Sequence, residues 1–277
     1  MKRALSVFIL TIGLAGGVTA QGPPAGAAPQ GGRAGGPPTA QTPRTGKGAA
    51  PVDFAGTWVS PVMEDYRWRM VTPLKGDAAS IPYREDARKT IDAWDPAKDE
   101  AAGLQCKAYG APALMRIPGR VRISWQDENT LKIESDQGRQ TRLLHFGPGD
   151  PPAAAATAAK GSWQGYSVAR WEAPQAPTAA GLALGTSARW GTRSQSLEVV
   201  TTNLRDGYLR KNGVPYSDKT KLTEYFDRWT NPEGQEWFTV TTIVEDPVYL
   251  ERPFVTTTDF RRESDDSKFS PTACAAR

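Results

Sequence analysis

Hydrophobic and polar positions alternate along most of the chain after residue 115. Val121, Ile123 and Trp125 interleave with Arg120, Arg122 and Ser124, and Leu131 and Ile133 interleave with Lys132 and Glu134, with Asp127-Glu128-Asn129 between the two runs. A period of two sends successive side chains to opposite faces, so the pattern predicts a hairpin with one dry and one wet face. A third strand is predicted over 140–146, after the turn at Asp136-Gln137-Gly138, and others over 163–172, 196–204, 219–229, 236–245 and 254–262. Turn signals at Asp206-Gly207, Asn212-Gly213 and Asn231-Pro232-Glu233-Gly234 punctuate them. Runs such as Val199-Val200-Thr201-Thr202 suit a pleated surface. With a first strand over 54–60 and a single short helix over 83–94, after Pro82, the pattern predicts a mainly β domain. Strands in sequence with short turns imply an antiparallel barrel of lipocalin-like form, or alternatively a β-sandwich. Two stretches rich in Pro, Ala and Gly, 147–162 and 173–185, read as surface loops.

The first fifty residues follow another rule. Lys2 and Arg3, an apolar run from Ala4 to Val18 and small residues ending at Ala20 have the three parts of a cleavable secretory signal, 1–20. The apolar run is about 15 residues and contains glycines, short of the roughly 20 that span a bilayer, and no other segment approaches a span. Residues 21–50 hold almost no bulky side chain and read as a disordered tether, leaving 51–277 as one domain. The tether also changes the meaning of the charge. Five of the 34 basic residues and none of the 30 acids lie in 1–50, so the body carries 29 basic against 30 acidic residues. The overall positive balance therefore gives no reason to expect a nucleic-acid partner. For an exported protein, Cys106 and Cys274, the two cysteines of the chain, are expected to form a disulfide, with two free thiols as the alternative.

Candidate chemistry is sparse. His145 is the single histidine, so neither a histidine metal cluster nor a serine hydrolase constellation is expected, and no phosphate-binding glycine loop is present. No metal and no cofactor is implied. In 221–229, Leu222, Glu224, Phe226 and Arg228 share one face of a strand, and a glutamate and an arginine among apolar residues can form a buried pair. Two polar-aromatic patches, Glu64 to Arg69 with Tyr66 and Trp68, and Arg205, Arg210 and Lys211 around Tyr208, can be the rim of a binding mouth or solvated loops. Most of the nine tryptophans are expected in the core.

Gly56-Thr57-Trp58 on the first strand resembles the Gly-x-Trp opening of lipocalin-like barrels, in which a basic residue near the last strand, here Arg261 or Arg262, covers the ring. Met115 to Gly119 after Cys106, Trp163 to Glu172, Asn212 to Ser217 continuing through Glu224-Tyr225-Phe226, and Glu245-Asp246-Pro247 before Pro253-Phe254 together resemble a group of uncharacterised exported bacterial proteins. That resemblance spans about 51–277 and implies a lipocalin-like (calycin-type) barrel and the late cysteine, without an activity. Where members of the group carry a histidine two residues before the serine, this chain has Pro215.

The resulting expectation is a periplasmic or secreted barrel that binds a small apolar or aromatic molecule through Trp58, Tyr216, Ser217, Glu224 and Arg228. Two alternatives stand beside it. One is a cofactor-free hydratase, lyase or isomerase, with Glu224 as acid/base and Arg228 as stabiliser. The other is an envelope structural or interaction module with a filled barrel and an exposed apolar patch.

Overall fold

The computed structural model describes residues 45–147, 161–172 and 196–277. The predicted leader, the tether up to residue 44 and most of the two Pro/Ala/Gly-rich stretches lie outside the described residues. Nine strands close into a barrel: β1 (Gly56–Val59), β2 (Arg120–Asp127), β3 (Thr130–Ser135), β4 (Thr141–Phe146), β5 (Tyr166–Trp171), β6 (Ser196–Thr202), β9 (Lys221–Thr230), β10 (Glu236–Glu245) and β11 (Phe254–Arg262). Their order around the ring is β1-β11-β10-β9-β6-β5-β4-β3-β2, and a separate small hairpin is made by β7 (Gly207–Tyr208) and β8 (Pro215–Tyr216). Closure sets the sandwich alternative aside. The expectation of a purely antiparallel sheet fails at one seam, because β4 and β5 pair in parallel through Leu144↔Ser167, His145↔Val168 and Phe146↔Ala169. Residues 147–165 separate these strands, and a parallel pair needs such a crossover in place of a tight turn.

The hairpins form where the turn chemistry places them. Asp127 Oδ1 accepts from Asn129 N (2.8 Å) between β2 and β3, and Asn231 Oδ1 accepts from Gln235 N (2.7 Å) between β9 and β10, where Gly234 supplies a positive φ of 82°. Between strands β1 and β2 the chain builds a cap from short helices: α1 (Tyr66–Arg69), α2 (Arg88–Ala93), α3 (Pro96–Ala101) and α4 (Ala111–Leu114), with 3-10 turns at Glu85–Ala87 and Lys107–Tyr109. The single helix expected over 83–94 is thus a 3-10 turn running into α2, with three further helices beside it. Each is four to six residues long, too short for a 3.6-residue period to show.

Inward-facing residues fall into three levels. At the end where β1 begins, Phe54, Trp58, Phe226, Phe238 and Phe260 pack with Val240, Leu197 and Ile133 in one buried cluster. Phe238 is the hub, with ring centroids 4.8 Å from Trp58, 4.8 Å from Phe260 and 5.8 Å from Phe54. At the opposite end, Leu222, Val244 and Phe254 join Ile91, Leu209, Val214, Tyr216 and Leu250 of the cap in a second cluster. Between the two lies a belt of buried polar side chains: Arg142, Ser167, Thr201, Glu224, Thr242, Thr256 and Thr258. The hydroxyls of Thr242, Thr256 and Thr258 have no hydrogen-bond partner.

Cys106 and Cys274 are bonded, with Cα atoms 5.2 Å apart across a sequence separation of 168, which fastens the final residues to the cap. The packed body also begins before residue 51. Gly46 N donates to Asn129 Oδ1 (2.8 Å), Lys47 N to Glu128 O (3.0 Å), and Trp171 Nε1 to Gly46 O (2.7 Å). The last residues assigned to the tether are therefore docked on the β2–β3 turn. Of the tryptophans, Trp58, Trp94 and Trp237 are buried, while Trp229 stacks on Trp237 and is exposed.

Candidate functional site

The five residues expected to contact a ligand stand at three separate levels. Trp58 is on the barrel floor, its Nε1 donating to Phe54 O at 2.9 Å. The Arg262 guanidinium lies 5.3 Å from the ring, the cover expected from the last strand, and that of Arg228 lies 6.0 Å away. Arg228 is occupied by Glu236 and by the carbonyl of Asp53. Glu224, in the middle belt, is joined to a different arginine. Its Oε1 accepts from Arg142 Nη1 at 3.1 Å and its Oε2 from Arg142 Nη2 at 2.6 Å, with both side chains fully buried. Arg142 Nη2 also donates to Thr201 Oγ1 (3.2 Å), which lies 2.8 Å from Ser167 Oγ. Tyr216 and Ser217 belong to the cap. The Tyr216 ring is pressed on the backbone at Gly110 and Gly207, where an added Cβ would come within 2.0 and 2.5 Å of its hydroxyl oxygen. Ser217 N donates to Asp246.

Parts of the two polar-aromatic patches of the sequence, in contrast, converge, while Tyr208 donates to Asp99 and Arg205 lies over the Trp163 ring. Trp68 and Arg69 of α1 meet Arg210 and Lys211 of the β7–β8 hairpin, and with Arg116 and Thr72 they line a partly open cavity of about 50 Å³ over the cap. Local features hold them there. Asp65 takes a left-handed conformation (φ 50°) before α1 and its side chain makes no cap hydrogen bond; the carboxylate accepts instead from Arg116 Nη2 (2.7 Å). Ser80, also left-handed (φ 67°), accepts from Arg210 Nη2 (2.9 Å), while Ala79 O accepts from Arg210 Nη1 (2.8 Å). Asn212 Nδ2 donates to Leu74 O (2.9 Å) and Asp77 O (2.8 Å), which ties the hairpin to the segment after α1. Arg69 donates through Nε to Arg116 O (2.9 Å) and through Nη2 to Ser60 Oγ (2.7 Å), and pairs with Glu64. Strained backbone at residues that hold charged side chains is a recurring mark of functional sites.

Three guanidinium groups so close together are costly. Arg69, Arg116 and Arg210 are only 7%, 6% and 5% exposed. Arg69 has Glu64 and Arg116 has Asp65, but Arg210 has no carboxylate partner among the described residues and rests on the Trp68 ring, 4.9 Å from its centroid. Burial, reinforced by Arg116 and against the pull of Asp77 and Asp65, pushes the Arg210 pKa down to about 10. Burial likewise lowers Arg69, against the pull of Glu64, and raises the Glu64 carboxyl, against the pull of Arg69. Arg116 Nη1, Arg210 Nε and Trp68 Nε1 are buried N–H groups without acceptors. A buried cation without a carboxylate in direct contact is unfavourable, and so are buried donors lacking acceptors. A carboxylate or phosphate relieves both, since the planar guanidinium fork matches such oxygens. Among the described residues that line the cavity, the ionisable side chains are Arg69, Arg116, Arg210 and Lys211.

Sequence reasoning missed Arg142 and Arg116 as site residues. Arg142 carries a readable signal, since it shares the inward phase of β4 with Leu144 and Phe146. Arg116 carries none, because it lies in the irregular segment between α4 and β2. Comparison of the chain with protein-family models, with curated proteins and with solved structures finds no match.

Proposed function

We propose that this protein is a binding protein for a small anionic molecule, held over the barrel by Arg210, Arg116 and Arg69 with Trp68 as a flat wall. The carrying observation is Arg210: a buried guanidinium with no carboxylate within ion-pair distance among the described residues, lining a cavity whose lining holds three arginines, a lysine and no acid. The expected apolar ligand beside Trp58 has less support, because the phenylalanine rings around it fill that end of the barrel. Export by the predicted signal of 1–20, which would place the protein in the periplasm or outside the cell, is part of the proposal. It agrees with the Cys106–Cys274 bond, since disulfides persist in oxidising compartments.

The test is thermal unfolding of the full chain with and without inorganic phosphate and acetate, compared with Arg210→Met. Bound anion stabilises only the folded state, so the midpoint of the wild type rises with anion concentration. In Arg210→Met the anion-dependent rise disappears, while the ligand-free midpoint falls only modestly, because loss of the bonds to Ala79 O and Ser80 Oγ is offset by removal of a buried charge. A large fall in the ligand-free midpoint with the anion response intact would assign Arg210 a purely structural role and overturn the proposal.

A further inference from the structure

Five of the eight exposed large hydrophobic side chains among the described residues fall within 63–74: Met63, Tyr66, Met70, Val71 and Leu74. They are between 49% and 73% exposed and sit on the same short segment that carries Trp68 and Arg69 to the anion pocket. The other three, Trp229, Val248 and Val255, lie on β9, in the loop after β10 and on β11, so only the 63–74 segment gathers several exposed apolar side chains in one stretch of chain. Exposed apolar residues scattered singly need no explanation, whereas a contiguous run beside a polar site marks a surface that meets something.

The charges on the same surface indicate what it meets. Glu64, Asp65 and Asp77 are each engaged by an arginine, namely Arg69, Arg116 and Arg67. Lys211 and Lys75 on the surface and Arg210 beneath it have no carboxylate within ion-pair distance among the described residues, against one further acid, Asp259, that acts on Glu64 and Arg69, so the region of the pocket carries a positive surplus even though the body as a whole is near neutral. The segment from Met63 to Lys75 therefore combines long apolar side chains, Tyr66 and Trp68 with polar tips, and Arg67 and Lys75, whose stems can lie along apolar surface while their charges stay in water. This is the composition of segments that rest in the interface of a bilayer with anionic head groups.

We infer that the anion of the pocket is the phosphate of a membrane lipid, and that residues 63–74 are the surface on which the barrel docks to an anionic bilayer. The inference rests on the anion-binding reading above. In it, Met70, Val71 and Leu74 enter the boundary between head groups and acyl chains, while Arg210 and Arg116 grip one head-group phosphate. A peptide partner is a poorer fit, because the sheet beside the pocket is the hairpin of two-residue strands β7 and β8, too short to template an added strand.

Co-sedimentation of the full chain with vesicles tests this, using phosphatidylcholine alone and phosphatidylcholine mixed with phosphatidylglycerol. The protein is expected to bind the mixed vesicles and not the neutral ones. The double variant Val71→Ser/Leu74→Ser, exposed enough to leave folding intact, is expected to bind mixed vesicles at least tenfold more weakly while keeping its thermal response to inorganic phosphate. Arg210→Met is expected to lose both. Phosphate binding without vesicle binding overturns the lipid inference and leaves the anion pocket standing; loss of both in the wild type overturns the two together. Vesicle binding that survives Arg210→Met and vanishes with added salt is non-specific attraction and overturns the docking geometry. A self-association seen by sedimentation velocity and abolished by Val71→Ser/Leu74→Ser, with vesicle binding unchanged, reassigns the patch to a second copy of the chain.

Discussion

Glu224 and Arg142 illustrate how much a single side chain depends on its partner. The two form a bidentate contact inside the barrel, walled by Thr201, Ser167 and apolar layers above and below. Removing one charge from such a pair strands the other, at a cost of about 3–5 kcal/mol, whereas replacing both by apolar groups is often neutral. Glu224→Gln should therefore lower stability to urea by that amount, and Glu224→Leu combined with Arg142→Met should recover most of it. Additive losses in the double variant would show that the pair is not the unit of stabilisation. The inward placement of Glu224 was legible from the alternation of 222–228, because a period of two fixes the face. Its partner was not, because pairing across the barrel depends on register between strands distant in sequence. The same limit hid the convergence of Trp68 with Arg210, more than a hundred residues apart in the chain.

At the level of elements, strands were readable and the cap was not. Observed β10 and β11 coincide with the predicted 236–245 and 254–262, because alternation and turn residues agree there. Of the cap helices, α3 combines a side-chain cap with a first-turn proline, Asp95 accepting from Ala97 N (3.0 Å) ahead of Pro96, while α4 has Pro112 in its first turn without a side-chain cap. The loop joining β10 to β11 is organised by one buried carboxylate. Asp246 accepts from Ser217 N and Thr220 Oγ1 through one oxygen, and from Val248 N (2.7 Å) and Tyr249 N (2.9 Å) through the other. Burial alone would raise the Asp246 pKa, but these hydrogen bonds to the charged form outweigh it and hold it below the ordinary value. A depressed carboxylate contributes stability above its unfolded pKa of about 3.9 and loses it as pH falls through the folded value. Asp246→Asn should cost about 2–3 kcal/mol at neutral pH, and the gap between variant and wild type should narrow as unfolding is measured at progressively more acidic pH. A gap that stays constant down to strongly acidic pH would refute the charged-acceptor account.

For the whole molecule, the Cys106–Cys274 bond is the one covalent constraint among the described residues, and it closes a loop holding all strands but β1. In the chain-entropy model so long a loop is worth about 4–5 kcal/mol. Reduction should therefore lower the urea midpoint markedly. It should also weaken the response to phosphate, since Ala108, Ala113 and Arg116 of the pocket follow directly from Cys106. A reduced protein of unchanged stability would show that the cap is held by packing alone. The parallel seam has a consequence of another kind. Strand directions in a closed ring can alternate throughout only when the number of strands is even, so a ring of nine must contain a mismatch, and here it falls at β4–β5. Because β5 is antiparallel to β6, β4 and β6 already run in opposite senses. By the same count β3 and β5 run in opposite senses, so omitting either β4 or β5 would leave eight strands able to alternate without exception, and one of these two is the supernumerary stave of an otherwise regular up-and-down barrel.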